Sequence, residues 1–558
     1  MVTGSKLSAI GVVALVILGF GLLRTIHLGA DAPVRIAPGS AALYVDEGYK
    51  TLSPRNLVLF GATHWHPRDD YPGWMEKSPF TQWAYYAAFR ALGPRVESAR
   101  LVSILCFSLL LAGYAWAMRG RYSPRLFYTG LGILGLESVL FFFSRAALFE
   151  IPISMFLYGL LFLIARTSRH LVRDVAVVAG AGAFLILAVK VSAFVYLFPV
   201  LLAVLCLVVL QRSSGIDKRL LVVLGAAAAG VAGILVVTAA VWSSEIALSP
   251  VDAVARWLTN PTLKSSPFLV VAGLLCAIHG VWARTDDFLG DLYRLSLVAL
   301  VLLAPAILAL FPYNPLRYYV PILPAYALLV LEWIHVGGAR ATPRARIPLL
   351  LGAVACVLLF CLTFYAGQAV NRGILVHLPL PMGEKPGLSD GAMLRFFTPI
   401  AALGMFLLWR WRGSLLHGRS VAAAQVILGL LFLTHATYTV GSFLVSPSYE
   451  SQEIRRELAA RVGEGESVAG DWAPFFALGT DVRALYMNRS VNRAARIEEL
   501  APDYFLYSAT LEGDVSLEQL SGMPSVGIGP PLLEGIYSGR KVSLHRLEYN
   551  GKKTPIAE

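Results

Sequence analysis

The chain has 558 residues, of which 57% are hydrophobic and only 15% charged, and its mean hydropathy is +0.65. A composition this apolar excludes a soluble globular protein of that length and marks a polytopic membrane protein. The formal net charge of +12 sits mostly in short arginine-rich loops suited to anionic lipid, so nucleic acid need not be invoked.

A helix needs roughly 20 apolar residues to cross a hydrocarbon core of about 30 Å, and about thirteen such runs follow one another along the chain. They fall near residues 7–28, 98–118, 126–143, 147–165, 174–189, 192–210, 220–242, 268–283, 292–311, 318–335, 347–367, 394–409 and 420–445. The first is expected to be an anchor rather than a cleaved signal, because Arg24 and His27 follow it without a small-x-small site. With Lys6 on the cytoplasmic side, alternate loops carry Arg119, Arg121 and Arg125, then Arg166, Arg169 and Arg173, then Arg212, Lys218 and Arg219, then Arg340, Arg344 and Arg346, then Arg410, Arg412 and Arg419. Basic residues of short loops concentrate on that side of a membrane. Between Arg284 and Arg294 the signal is diluted by Asp286, Asp287 and Asp291, but acids count little in this rule. An odd helix count then places the loop at 29–98 and everything beyond about residue 446 outside the cytoplasm. All five cysteines (Cys106, Cys206, Cys276, Cys356 and Cys361) fall in predicted spans, which argues against disulfides and CxxC metal chemistry.

The loop at 29–98 is long and polar where nearly every other connection is short. After Pro447 the apolar runs stop, and residues 449–558 alternate short strands with short helices: 467–471, a helical 473–478, 484–487, 497–500, 504–507 and 541–547. The expected organisation is a transmembrane unit over 1–446 and a small outer α/β domain over 447–558, large enough for its own core. That domain has no glycine-rich phosphate loop, and Asp471 beside Trp472 either lines a site or, as the reading preferred, is an ordinary strand-end acid.

Charged residues at the outer edge of the spans are the candidates for chemistry. In Tyr44-Val45-Asp46-Glu47-Gly48-Tyr49 two adjacent carboxylates suit a general base and its helper, although a solvated loop produces the same pair. Glu76-Lys77-Ser78-Pro79, followed by Trp83-Ala84-Tyr85-Tyr86, brings an ammonium to the lipid boundary or is a generic interfacial anchor. Arg145 and Glu150 lie between closely spaced spans, where charges face a cavity or each other; a structural ion pair is the competing reading. Lys190 and Arg317, the latter followed by Tyr318, sit at the same outer edge, where either lines a site or snorkels. His64-Trp65-His66 with Asp69 and Asp70 has some look of a metal cluster, but i,i+2 histidines in a polar loop suit no helix-borne site. Predicted topology puts Asp46, Lys77, Arg145, Glu150, Lys190 and Arg317 on one membrane face, a mixture that suits reaction of a membrane-borne phosphate ester with a hydroxyl.

The order of these motifs, Asp46-Glu47-x-Tyr49, Glu76-Lys77-x-Pro79 with Trp83, Arg145 through Glu150 to Pro152, Lys190, and Arg317-Tyr318 with Pro321 and Pro324, resembles the GT-C class of glycosyltransferases. The similarity is nearer to the branch of protein O-mannosyltransferases and the lipid A aminoarabinose transferase, and it covers most of the chain. Ser78 departs from the usual Lys-Pro-Pro form. The resemblance implies transfer of one sugar from a polyprenyl-phosphate donor, with inversion, to a lipid, glycan or protein acceptor at the outer face of a bacterial or archaeal cell membrane. Under it Asp46 takes the acceptor proton, Lys77 with Arg145, Lys190 and Arg317 neutralises the leaving phosphate, and Glu47 and Glu150 orient cations or sugar hydroxyls. Tyr49, Glu76 and Tyr318 support the sugar. Such a cation set can replace a divalent metal, so no cofactor is expected. A transporter or lipid-linked-sugar flippase is the rival reading, disfavoured by the long first loop, the appended domain and the lack of paired repeats; an oligosaccharide transferase is a second.

Overall fold

The computed structural model describes residues 3–31, 41–167, 177, 180–212, 261–282, 291–309, 315–340, 418–488, 490–508, 515–537 and 540–550. The predicted spans at 220–242, 347–367 and 394–409, and Cys356 and Cys361, lie outside these residues. In chain order the described α-helices of six or more residues in the first part are α1 (Thr3–Thr25), α2 (Ala41–Phe60), α3 (Pro79–Leu92), α4 (Val96–Met118), α5 (Pro124–Leu136), α6 (Ser138–Phe143), α7 (Glu150–Thr167), α8 (Phe194–Arg212), α9 (Pro267–Trp282), α10 (Leu292–Ala309), α11 (Leu323–Arg340) and α12 (Gly418–Val445). A π-helical turn, Leu185–Val189, precedes Lys190, and a 3-10 turn, Leu316–Ile322, leads into α11.

Three described helices, α4, α10 and the run Leu316–Val336, are long and apolar enough to cross a membrane. Their interior faces pack into one core with α5, α7, α8 and α9. Leu15, Leu18 and Leu22 of α1 and Leu105, Leu109 and Trp116 of α4 stay exposed, an apolar outer surface of the kind lipid covers.

Two sequence expectations are corrected, and the loop at 29–98 gains detail. It contains the helices α2 and α3; α2 mixes polar and apolar residues too evenly to register as a span yet buries Val45, Glu47, Lys50, Thr51, Leu52, Arg55 and Asn56. The predicted span 126–143 is broken at Glu137, whose extended backbone ends α5 and whose Oε2 accepts from the Leu140 backbone N–H at 2.6 Å to cap α6. The span predicted from 147 begins as helix only at Glu150; Arg145–Phe149 is a turn whose backbone is pinned from α2, as described below.

The second part carries α13 (Glu450–Arg461), β1 (Ser467–Gly470), α14 (Ala473–Phe476), β2 (Arg483–Tyr486), α15 (Ile497–Leu500), β3 (Tyr504–Ser508), α16 (Leu517–Ser521), β4 (Val526–Tyr537) and β5 (Arg540–Tyr549). The sheet order is β2-β1-β3-β5-β4, with β1 parallel to β2 and β3, and β5 antiparallel to β3 and β4. β4 is not among the strands expected from sequence, and its Gly527, Gly529, Pro530 and Pro531 are of types depleted in strands. It is an edge strand whose register against β5 shifts around Pro531, the setting in which proline is tolerated in a sheet. One sheet face packs on α13, α14 and α2, and the other on α15 and α16. The α2 contact is close: a Cβ on Gly48 would run into the backbone of Pro474 and Phe475.

Candidate active site

α2 sends successive residues in different directions, and each meets a different element. Glu47 is fully buried and takes a bidentate pair from Arg100 at the start of α4, Nε to Oε1 at 3.0 Å and Nη2 to Oε2 at 2.7 Å. Its Oε1 also accepts the Ala147 backbone N–H at 2.6 Å, which holds the turn before α7. Arg100 Nη1 donates to the Leu28 and Ala30 carbonyls, both at 2.7 Å, so one ion pair ties α1, α2, α4 and the α7 turn together. Tyr49 leaves on the other side and stacks on Tyr486 of β2 with centroids 5.1 Å apart and 23° between planes, while its carbonyl accepts from the Tyr71 hydroxyl.

Asp46 faces the bundle end. Its carboxylate pairs with the Arg317 guanidinium, both side chains largely buried. The Arg317 guanidinium lies 5.3 Å from the Tyr318 ring centroid, and the Lys190 ammonium lies 5.3 Å from the same ring. Lys190 Nζ donates to Glu150 Oε1 at 3.1 Å. Tyr318 thus joins two carboxylate–cation pairs, Asp46 with Arg317 and Glu150 with Lys190, into one cluster. The irregular backbone explains why these cations meet: Lys190 sits in extended conformation where a π-turn gives way to a 3-10 turn, and Arg317 lies in a 3-10 turn held by the Tyr196 hydroxyl on the Tyr318 carbonyl at 2.6 Å. Such breaks at membrane depth are tolerated where backbone lines protein or a cavity.

Lys50 belongs to this cluster and was not singled out from the sequence. It lies four residues after Asp46, one helical turn along the same face, and is 1% exposed. Its ammonium lies 5.1 Å from the Phe149 ring centroid, and that of Lys190 lies 5.6 Å from the same ring. Lys50 Nζ and Glu150 Oε2 are both buried without a hydrogen-bond partner among the described residues. Burial, partly opposed by Glu150, pushes the Lys50 ammonium down to about 8. The signal for Lys50 was its i+4 spacing from Asp46; Arg100 was hidden inside an apolar run, and Phe149 and Tyr486 had none.

Other expected members stand elsewhere. Arg145 is not among the cluster cations and does not pair with Glu150; its Nη1 and Nη2 donate to the Ile26 and His27 carbonyls at 2.7 and 2.6 Å, closing the end of α1. Glu76 and Lys77 are exposed in the turn before α3, and no described hydrogen bond or ion pair joins them to the cluster. Ser78, in place of the usual proline, is the N-cap of α3 with Pro79 following it. Asp69 and Asp70 hold Asn492, His64 binds the Tyr71 carbonyl, and His66 takes the Arg68 N–H; these residues dock the segment before α3 on the sheet.

Comparison with family models and with curated proteins gives no match. Among solved structures, ArnT from Cupriavidus metallidurans bound to undecaprenyl phosphate is similar at a TM-score of 0.51 and 15% sequence identity, covering 98% of each chain. The apo state of the same protein gives a TM-score of 0.52 at 14% identity, covering 96% of this chain and 98% of that one. The likeness runs over both parts of the chain and shows a polytopic membrane fold of that type.

Proposed function

We propose that this protein is an integral-membrane glycosyltransferase that moves a single sugar from a polyprenyl-phosphate donor to an acceptor hydroxyl on the extracytoplasmic face. The observation that carries the reading is the Asp46–Arg317–Tyr318–Lys190–Glu150 cluster: a carboxylate beside several cations, gathered from four segments at one end of an apolar bundle. Support comes from the fold shared with ArnT, one structure of which holds undecaprenyl phosphate.

In this mechanism the donor phosphate engages Arg317 and so releases the Asp46 carboxylate. Asp46 then takes the proton of the acceptor hydroxyl as its oxygen bonds to the anomeric carbon and the bond to the phosphate oxygen breaks with inversion. General-base help of this kind is worth about 10²–10⁴ in rate. Negative charge growing on the polyprenyl phosphate is met by Arg317 and Lys190 in a largely buried site, where fixed charges act strongly. Glu150 aims Lys190, and Glu47 positions Asp46 by fixing α2 to α4. Lys77, three residues beyond Trp74, meets the donor from the exposed side; Tyr49 and Tyr318 line the sugar, with Glu76 at the rim. Arg145 is a brace on α1 rather than a phosphate ligand. The cations present stand in for a divalent metal.

The test is turnover by the purified protein in lipid with a polyprenyl-phosphate monosaccharide and hydroxyl acceptors of lipid, glycan and peptide type. Release of polyprenyl phosphate coupled to sugar transfer is the expected result. Vectorial movement of the intact donor without transfer supports a flippase instead, and turnover only of a diphosphate-linked oligosaccharide supports a block transferase.

A further inference from the structure

We infer that Lys50 is a further residue that receives the phosphate of the lipid substrate, beside Arg317 and Lys190. This rests on the transferase reading above. Asp46 and Glu150 already neutralise Arg317 and Lys190. Lys50 is then the third cation against two carboxylates, buried to 1% exposure with no hydrogen-bond partner for its Nζ among the described residues. A buried ammonium without an acceptor is costly, and the fold keeps it there between the Phe149 ring at 5.1 Å and the Tyr49 ring at 5.8 Å. Its carbonyl is held by Gln82 Nε2 at 2.8 Å, so α2 cannot readily turn the side chain out to water. A phosphate oxygen supplies both the acceptor and the negative charge that Lys50 lacks. The amine makes a charge-assisted hydrogen bond to a non-bridging oxygen and strengthens it as the leaving phosphate gains charge.

The experiment uses the full chain purified in lipid nanodiscs and measures binding of a long-chain polyprenyl phosphate and the melting temperature without ligand, for wild type and Lys50→Met. The variant is expected to bind polyprenyl phosphate about 10- to 100-fold more weakly, the loss of one hydrogen bond to a charged group, while melting at the same or a higher temperature because a buried unpaired charge is gone. Millimolar inorganic phosphate is expected to leave the bound lipid in place. Lys50→Met protein that binds the lipid as tightly as wild type, or that melts lower, shows Lys50 to be structural and overturns the inference. Displacement by inorganic phosphate overturns the assignment of a lipid-borne phosphate. A wild type that binds no polyprenyl phosphate at all removes the transferase reading, and this inference with it.

Discussion

Glu332 and Glu150 are both buried carboxylates facing cations, at opposite ends of the bundle. Arg100 and Arg121 bracket α4 and mark those ends, roughly 30 Å apart at 1.5 Å rise per residue. Glu332 Oε1 accepts from Arg121 Nε at 2.7 Å and the Tyr122 hydroxyl at 2.6 Å, and its Oε2 from Arg121 Nη2 at 2.9 Å and Arg294 Nε at 2.7 Å. Every lone pair has a donor, and Asp291 adds a second acid for Arg121 at 2.9 Å. Glu150 has one donor and an unmet oxygen, with the unmet Lys50 ammonium also in the cluster. Residues of the same kind therefore form a saturated clasp at one end and an under-coordinated cluster at the other. Saturation is what a fold needs from a buried charge; unmet donors and acceptors are what a ligand needs from a site.

That contrast is broken most severely by Glu332→Gln, which leaves Arg121 and Arg294 without their main acceptor. A loss of about 3 kcal/mol is expected, the low end for breaking a buried pair because Asp291 remains, read as a lower melting temperature in detergent. Gly48→Ala is expected to cost about 1–3 kcal/mol by overpacking α2 against α14, and to expose the residues after 447 to protease before the bundle unfolds. Lys50 gives a pH signature: facing Glu150, Lys190, Tyr318 and Glu47, it loses its proton above about 8. Wild-type affinity for polyprenyl phosphate should therefore fall by up to about tenfold per unit above that pH, whereas that of Lys50→Met should not share the fall. Lys77→Ala is expected to slow transfer by less than about tenfold, since an exposed ammonium acts through water. Smallest of all is the effect of a chelator: initial rates in excess EDTA should equal those in added Mg²⁺, and recovery of a lost rate by metal would transfer the role of the cations to an ion.

Much of the cluster was legible because its charges stand where apolar runs end. Asp46, Glu150, Lys190 and Arg317 are conspicuous in sequence for that reason, and the structure brings them into one cluster. Arg145 looked identical by the same criterion, yet it spends its donors on the carbonyls of Ile26 and His27, and backbone acceptors leave no mark in a sequence. Glu47 is a similar case, since its partner Arg100 lies inside an apolar run. In the fold, β1, β2, β3 and β5 were readable from short apolar stretches between turn residues. β4 was not, because the prolines that signal a turn are harmless on an edge strand. α2 escaped a search for apolar runs because it is buried against protein on several sides, by polar as well as apolar residues.

The most direct test sets the two ends of the bundle against each other in one assay, with Asp46→Asn and Glu332→Gln measured for melting temperature and for transfer from a polyprenyl-phosphate monosaccharide per folded molecule. Asp46→Asn keeps its shape and loses the proton acceptor, so turnover per folded molecule should drop about 10²–10⁴ with donor binding retained, while loss of the pair with Arg317 lowers its melting temperature too. Glu332→Gln should lower the melting temperature with turnover per folded molecule retained. Near wild-type turnover in Asp46→Asn, or an equal loss of turnover in both variants, would contradict the assignment of the Asp46 end as the site of chemistry.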